Sequence, residues 1–124
     1  METGLEYTSE AKVTTAMLAC NVGSGDMEVL ATPAMLALME NAAMMAVAPS
    51  LPEGSATVGG HISSSHLMPT PCGETITATA VLVAVNGRKL TFHVTAHDSK
   101  GSLLGEGEHL RFIVDRKRFL ANIH

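Results

Sequence analysis

Tryptophan is absent from this chain, tyrosine occurs once and phenylalanine three times. A core with so few rings has to be filled by smaller or more flexible groups, and eight methionines and many alanines are what the sequence offers. Such side chains let a helix approach a sheet closely and adapt to irregular gaps. Cysteine is scarce as well. Cys20 and Cys72 lie far apart and form no Cys-x-x-Cys pattern, which points to reduced thiols in a cytoplasmic protein. Positive charge is limited: eight Lys and Arg against twelve Asp and Glu leave a net charge of −4. With no basic stripe on top of that balance, a nucleic-acid partner is excluded. No apolar run suits a membrane either. The longest, residues 33–48, is interrupted by Glu40 and Asn41 and falls short of the ~18–20 residues a span requires. The opening METGLEYTSEAK has neither the basic nor the apolar region of a signal peptide.

What remains is a chain of 124 residues, enough for one core. A single domain over residues 1–124 is expected, with 1–10 as a loose arm. KVTTAMLAC (12–20) is β-branched enough to suggest a first strand, and the Gly- and Asp-rich 21–29 a loop. Thr32-Pro33 reads as a helix start, with the hydroxyl at the N-cap and proline at the first helical position. The helix is expected to run to about Ala48 and stop at Pro49. Strands are expected over 57–68, 74–85, 88–98 and 102–115, with RKRFLANIH as a short helical turn or tail. Asn86-Gly87 is a strong two-residue hairpin signal. That loop sets Val83 opposite Leu90, Val81 opposite Phe92 and Thr79 opposite Val94, and puts Thr91, His93, Thr95 and His97 on the other face. This pattern is α+β, one helix on an antiparallel sheet. Because apolar positions occupy nearly every face of the helix, a strongly curved sheet of about five strands is expected to wrap it.

Glu40 is the anomaly in that helix. A buried carboxylate is costly unless paired or hydrogen-bonded, and positions that carry this cost are often functional. Thr32 is first of all a helix cap, but the free amides of the turn it opens, from Ala34 and Met35 onward, are suited to polarising a carbonyl oxygen. Eight helical residues separate Thr32 from Glu40, about 12 Å of rise and some 80° of rotation. The two therefore need a mediator, such as a water, groups of a partner chain, or His66, whose strand shares a face with Ile62 and Ser64. No metal is expected. His93 and His97 have a helical zinc spacing, but on a strand four residues span ~13 Å.

The words VLATPAMLALMENAA, TVGG, HLMPTPCGETITATAVLVAVNGRKLTFHVTAHD and GEGEHLRFIVDRKRF carry a resemblance. They are similar, over residues 22–119, to the hot-dog fold thioesterase family that includes the fluoroacetyl-CoA-specific thioesterase. Seven residues between Thr32 and Glu40 and twenty-five between Glu40 and His66 match the family's catalytic set. The resemblance implies a hot-dog fold, a homodimer or tetramer with active sites at the subunit interface, and hydrolysis of a short or small acyl-CoA. It implies catalytic roles for Thr32, Glu40 and His66 and a place near the acyl group or CoA for Gly59 and Arg111, with Gly60 adjacent; a plain bulge at the two glycines and a solvated Arg111 are the other readings. The residues themselves add the Ala34 and Met35 amides and, for CoA phosphates, Arg116-Lys117-Arg118, although a short charged tail is more often only solvated. Coenzyme A enters as part of the substrate, with no separate cofactor. One departure is visible: the segment before the helix, CNVGSGDMEVLA, has no aromatic residue to cover a fluoroacetyl group. Two other readings are a hot-dog dehydratase, for which no second Asp/Glu–His set is present, and a non-catalytic module that binds a CoA ester or small acid.

Overall fold

Pro33 and Pro49 bracket the apolar segment, and between them the chain is helical. In the computed structural model, which describes residues 1–124, the elements run in a simple order. They are β1 (Glu6–Lys12), a 3-10 turn (Thr15–Met17), the single turn α1 (Ala19–Val22) and the long helix α2 (Thr32–Val47). A second 3-10 turn (Ala48–Ser50) leads to β2 (Ser55–Ser64), β3 (Thr75–Asn86), β4 (Lys89–Asp98), β5 (Leu103–Asp115) and α3 (Arg116–Ala121). The strands form one antiparallel sheet in the order β1-β3-β4-β5-β2, curled around α2. No helix is long and apolar enough to cross a membrane.

The core answers the shortage of aromatics. Met35, Met39, Ala42, Ala43, Ala46 and Val47 form one buried stripe on α2, at the spacing that keeps a single helix face turned inward. They pack on Ile76, Ala78, Ala80 and Leu82 of β3 and on Leu90, Phe92, Val94 and Ala96 of β4. Alanine on both sides keeps the helix close to the sheet, and the methionines fill what is left. The helix is not enclosed all round. Ala37, Asn41, Met44 and Met45 are exposed in the single chain.

Three expectations need correction. The first strand is Glu6–Lys12, not 12–20, so the second half of the supposed arm lies in the sheet, paired with β3 from Glu6↔Val81 to Lys12↔Thr75. β1 is a sheet edge with little to bury, so its sequence is polar; its one buried residue, Ser9, donates to Asn41 Oδ1 at 2.7 Å. The apolar residues of 12–20 that suggested a strand, Val13 and Leu18, are buried from turns. The hairpin register also differs. The two loop residues are Gly87 and Arg88, closed by Asn86↔Lys89, and a bulge at Val83 shifts the pairing to Leu82↔Phe92 and Ala80↔Val94. Gly87 has φ 61°, as the first central position of a type II′ turn requires. The bulge reverses parity, so the even-numbered residues of β3 face the core and Val83 is half exposed. Finally, the strand expected over 57–68 ends at Ser64, although Ser65 and Leu67 still donate to Glu106 and Leu104 carbonyls of β5.

At that end β2 and β5 approach closely. A Cβ on Gly107 would overlap the Ser63 carbonyl, so only glycine fits there. Gly107→Ala is expected to force the strands apart at a cost of about 2 kcal/mol, and to lower the melting temperature by roughly 6–12 °C. An unchanged melting curve would show that the strands separate freely.

Candidate functional site

The start of α2 builds the first part of the site. The N-cap is Ala31, whose side chain caps nothing, so the helix begins one residue earlier than expected, with Thr32 as its first helical residue. Its hydroxyl is thereby released from capping and lies 2.7 Å from His66 Nδ1. His66 follows the end of β2, where the backbone bonds from Ser65 and Leu67 to β5 fix its position. Its Nε2 is buried with no protein partner. Burial lowers the His66 pKa, favouring the neutral ring.

The amides of this turn behave differently from expectation. Ala34 N–H donates to the Ala31 carbonyl at 3.0 Å and Met35 N–H to the same oxygen at 3.2 Å. Neither is free for a ligand, and the Met35 side chain is in the core. The unpaired amide of the first turn is that of Thr32 itself, since proline follows it. Beside the Thr32–His66 pair lies a cavity of about 270 Å³, lined among others by Ser24, Val29, Leu30, Leu67, Met68 and Pro69. Its walls carry no Phe, Tyr or Trp.

Farther along the helix, Glu40 belongs to a second cluster. It is not fully buried as expected: its side chain is 42 % exposed in the single chain. Its Oε2 lies 4.0 Å from Nη1 of Arg111, and a Cβ on Gly59 would stand 3.0 Å from the same oxygen. Gly59 therefore lets the carboxylate approach the β2 backbone. Gly60 does not share this cluster, because its missing side chain would collide with the Phe112 ring, and Phe112 alternates with Arg111 to the opposite face of β5. Gly60 instead occupies the β2 bulge, where the register shifts between Gly59 and His61.

Arg111, which could have been a solvated residue, is buried. Its Nε donates to Thr57 Oγ1 at 2.8 Å and its Nη2 to the Thr57 carbonyl at 2.9 Å. Burial lowers its pKa and the Glu40 carboxylate raises it. His109, 1 % exposed, completes the cluster through Arg111 Nη1 at 3.2 Å. Thr57 and His109 escape a reading that looks for reactive groups one at a time. Their signal was the i, i+2 pair His109–Arg111 on an alternating strand, which puts two polar side chains on the face turned toward α2.

Of the other histidines, His61 lends its backbone carbonyl to His109 Nδ1 at 2.7 Å. His93, on the outer face of β4 as expected, sits 3.0 Å from Glu106 Oε2. Arg116, Lys117 and Arg118 are exposed at the start of α3.

Residues 13–117 match the family model described as fluoroacetyl-CoA-specific thioesterase. The chain belongs to that family. It is 41 % identical over 96 residues to the fluoroacetyl-CoA thioesterase of Streptantibioticus cattleyicolor, covering 77 % of this chain and 68 % of that protein. Among solved structures, a threonine-to-serine variant of a fluoroacetyl-CoA thioesterase in complex with acetyl-CoA superposes with a TM-score of 0.93 at 32 % identity. That match covers 99 % of this chain and 96 % of the other. A thioesterase superfamily member from Thermus thermophilus superposes with a TM-score of 0.91 at 26 % identity, over 98 % and 90 % of the two chains. The fold is thus the hot-dog fold, and membership of this thioesterase family makes the protein a thioester hydrolase acting on acyl-CoA.

Proposed function

We propose that the protein hydrolyses CoA thioesters of short acyl groups, as a homodimer, at a site made by Thr32, His66 and Glu40. The observation that carries this reading is the Thr32 hydroxyl, free of capping and bonded to His66 Nδ1 at the wall of a small cavity. The cavity is suited to a short acyl chain, and the unpaired Thr32 amide to the thioester oxygen.

Glu40 cannot reach Thr32 along one straight helix, since eight residues give about 12 Å of rise. A second copy related by two-fold symmetry supplies the carboxylate from its own Glu40–Arg111 cluster. Two features favour such a copy. β2 is the terminal strand of the sheet, with one edge unpaired, and Met44 and Met45 expose apolar surface on α2. In this arrangement Glu40 takes a proton from water as its oxygen bonds to the acyl carbon. The C–S bond then breaks, and the departing thiolate receives the proton. The reading calls for no metal or organic cofactor. The two free cysteines accord with a cytoplasmic location.

The test is release of free thiol from a graded series of acyl-CoA esters, with sedimentation to give the oligomeric state. Acetyl- and propionyl-CoA are expected to give higher kcat/KM than octanoyl-CoA. Fluoroacetyl- and acetyl-CoA are expected to be hydrolysed alike, since the segment before α2 supplies no ring. Thermal stabilisation by the esters without thiol release would instead identify a binding module.

A further inference from the structure

His109 and Arg111 are two residues apart on β5, and so share a face of the sheet. His109 Nδ1 lies 2.7 Å from the carbonyl oxygen of His61. A carbonyl only accepts, so Nδ1 carries the ring proton. A neutral ring protonated there has a lone pair on Nε2, and at 3.2 Å from that nitrogen stands Nη1 of Arg111. The tautomer is thus dictated from one side and used on the other.

We propose that His109 is a positioning residue whose neutral Nε2 holds the Arg111 guanidinium toward Glu40, and that protonation of this nitrogen releases the hold. The proposal rests on the assignment of Glu40 to the reacting site. Thr57 fixes Nε and Nη2 of Arg111, but Nη1, the nitrogen turned to Glu40, has only His109 as a hydrogen-bond acceptor. A protonated Nε2 would set two N–H groups facing each other and place two cations together in a site shielded from water.

The titratable and charged groups facing the ring come from three elements: Arg111 from β5, Glu40 from α2 and His61 from β2. β4 contributes only Phe92, whose ring centroid is 6.2 Å away. Burial lowers the His109 pKa from its ordinary 6.5, the His61 hydrogen bond raises it, Arg111 lowers it and Glu40 raises it, with a net downward result. The neutral form therefore prevails at pH 7, and the hold is lost as pH falls through the lowered pKa.

The test compares wild type with His109→Gln and His109→Leu. Glutamine keeps an uncharged acceptor, whereas leucine keeps neither the acceptor nor the donor. His109→Leu is expected to lower kcat about ten-fold or more, with KM little changed. His109→Gln is expected to retain most of the wild-type kcat. The acid limb of the pH–rate profile separates this role from a merely structural one. On the acid side wild type should fall more steeply than His109→Gln, because release of the hold adds about a ten-fold drop to the loss at His66. Imidazole 15N shifts, read without substrate, should find the proton on Nδ1 at pH 7. A His109→Leu enzyme with wild-type kcat, an unchanged slope in His109→Gln, or a proton on Nε2 at pH 7 would each overturn the proposal. A wild-type protein that releases no thiol overturns the functional assignment itself, and any part for His109 in turnover falls with it.

Discussion

Glu40→Gln is expected to lower kcat on a short acyl-CoA about a hundred-fold or more, the scale of a lost acid–base group. KM and the melting temperature should stay close to wild type. Glutamine has nearly the shape of glutamate and keeps an oxygen for the Arg111 side, so packing against Gly59 survives. The side chain is also part-exposed, so its charge adds little to the stability of the single chain. What the amide cannot do is accept a proton from water or attack a carbonyl. A fall in kcat with KM unchanged is the mark of a group that works in the transition state. Near-wild-type turnover would remove Glu40 from the chemistry and leave its pairing with Arg111 as a structural contact.

His66→Ala is expected to show a loss of similar size, about a hundred-fold or more, for a different reason. The Thr32 hydroxyl lies 2.7 Å from His66 Nδ1, and a neutral ring with the proton on Nε2 accepts from that hydroxyl. Desolvation, which lowers its pKa, preserves that neutral form at pH 7. As pH falls through the lowered pKa, Nδ1 gains a proton and can no longer accept, so activity declines on the acid side. If Thr32 and His66 act as one unit, Thr32→Ala combined with His66→Ala should be no worse than the poorer single variant. Losses that multiply in the double variant, or a His66→Ala enzyme with wild-type kcat, would dissolve the pair.

The parts of this fold that could be read from sequence are those where one interaction sets the pattern. Proline at both ends delimits α2, and alternation finds β3, β4 and β5 almost to their ends. The inner face of β4 is right for the same reason. β1 was hidden because an edge strand next to one neighbour has no apolar face to display. The bulge at Val83 was hidden because an extra residue leaves no mark on composition while inverting every side chain beyond it. Among the candidate residues, Thr32 and His66 were singled out by sequence and lie in contact, Glu40 stands apart from them with Arg111, and the partners of Arg111 were not legible. Thr57 and His109 come from β2 and β5, 54 and 2 residues away from it, and only the pairing of those strands brings all three together. The Ala34 and Met35 amides failed for a finer reason. A one-residue change in where the helix begins decides which donors are already taken.

That one-residue displacement also bears on how such a protein can be engineered. A procedure that rewards robustness would move the hydroxyl from 32 to 31, where a cap is commonly worth about 1 kcal/mol. The resulting molecule would be sturdier and would have nothing left to face His66. Natural chains often leave such improvements unmade where they conflict with activity, and the uncapped start of α2 leaves the Thr32 hydroxyl to His66 at the expense of endurance.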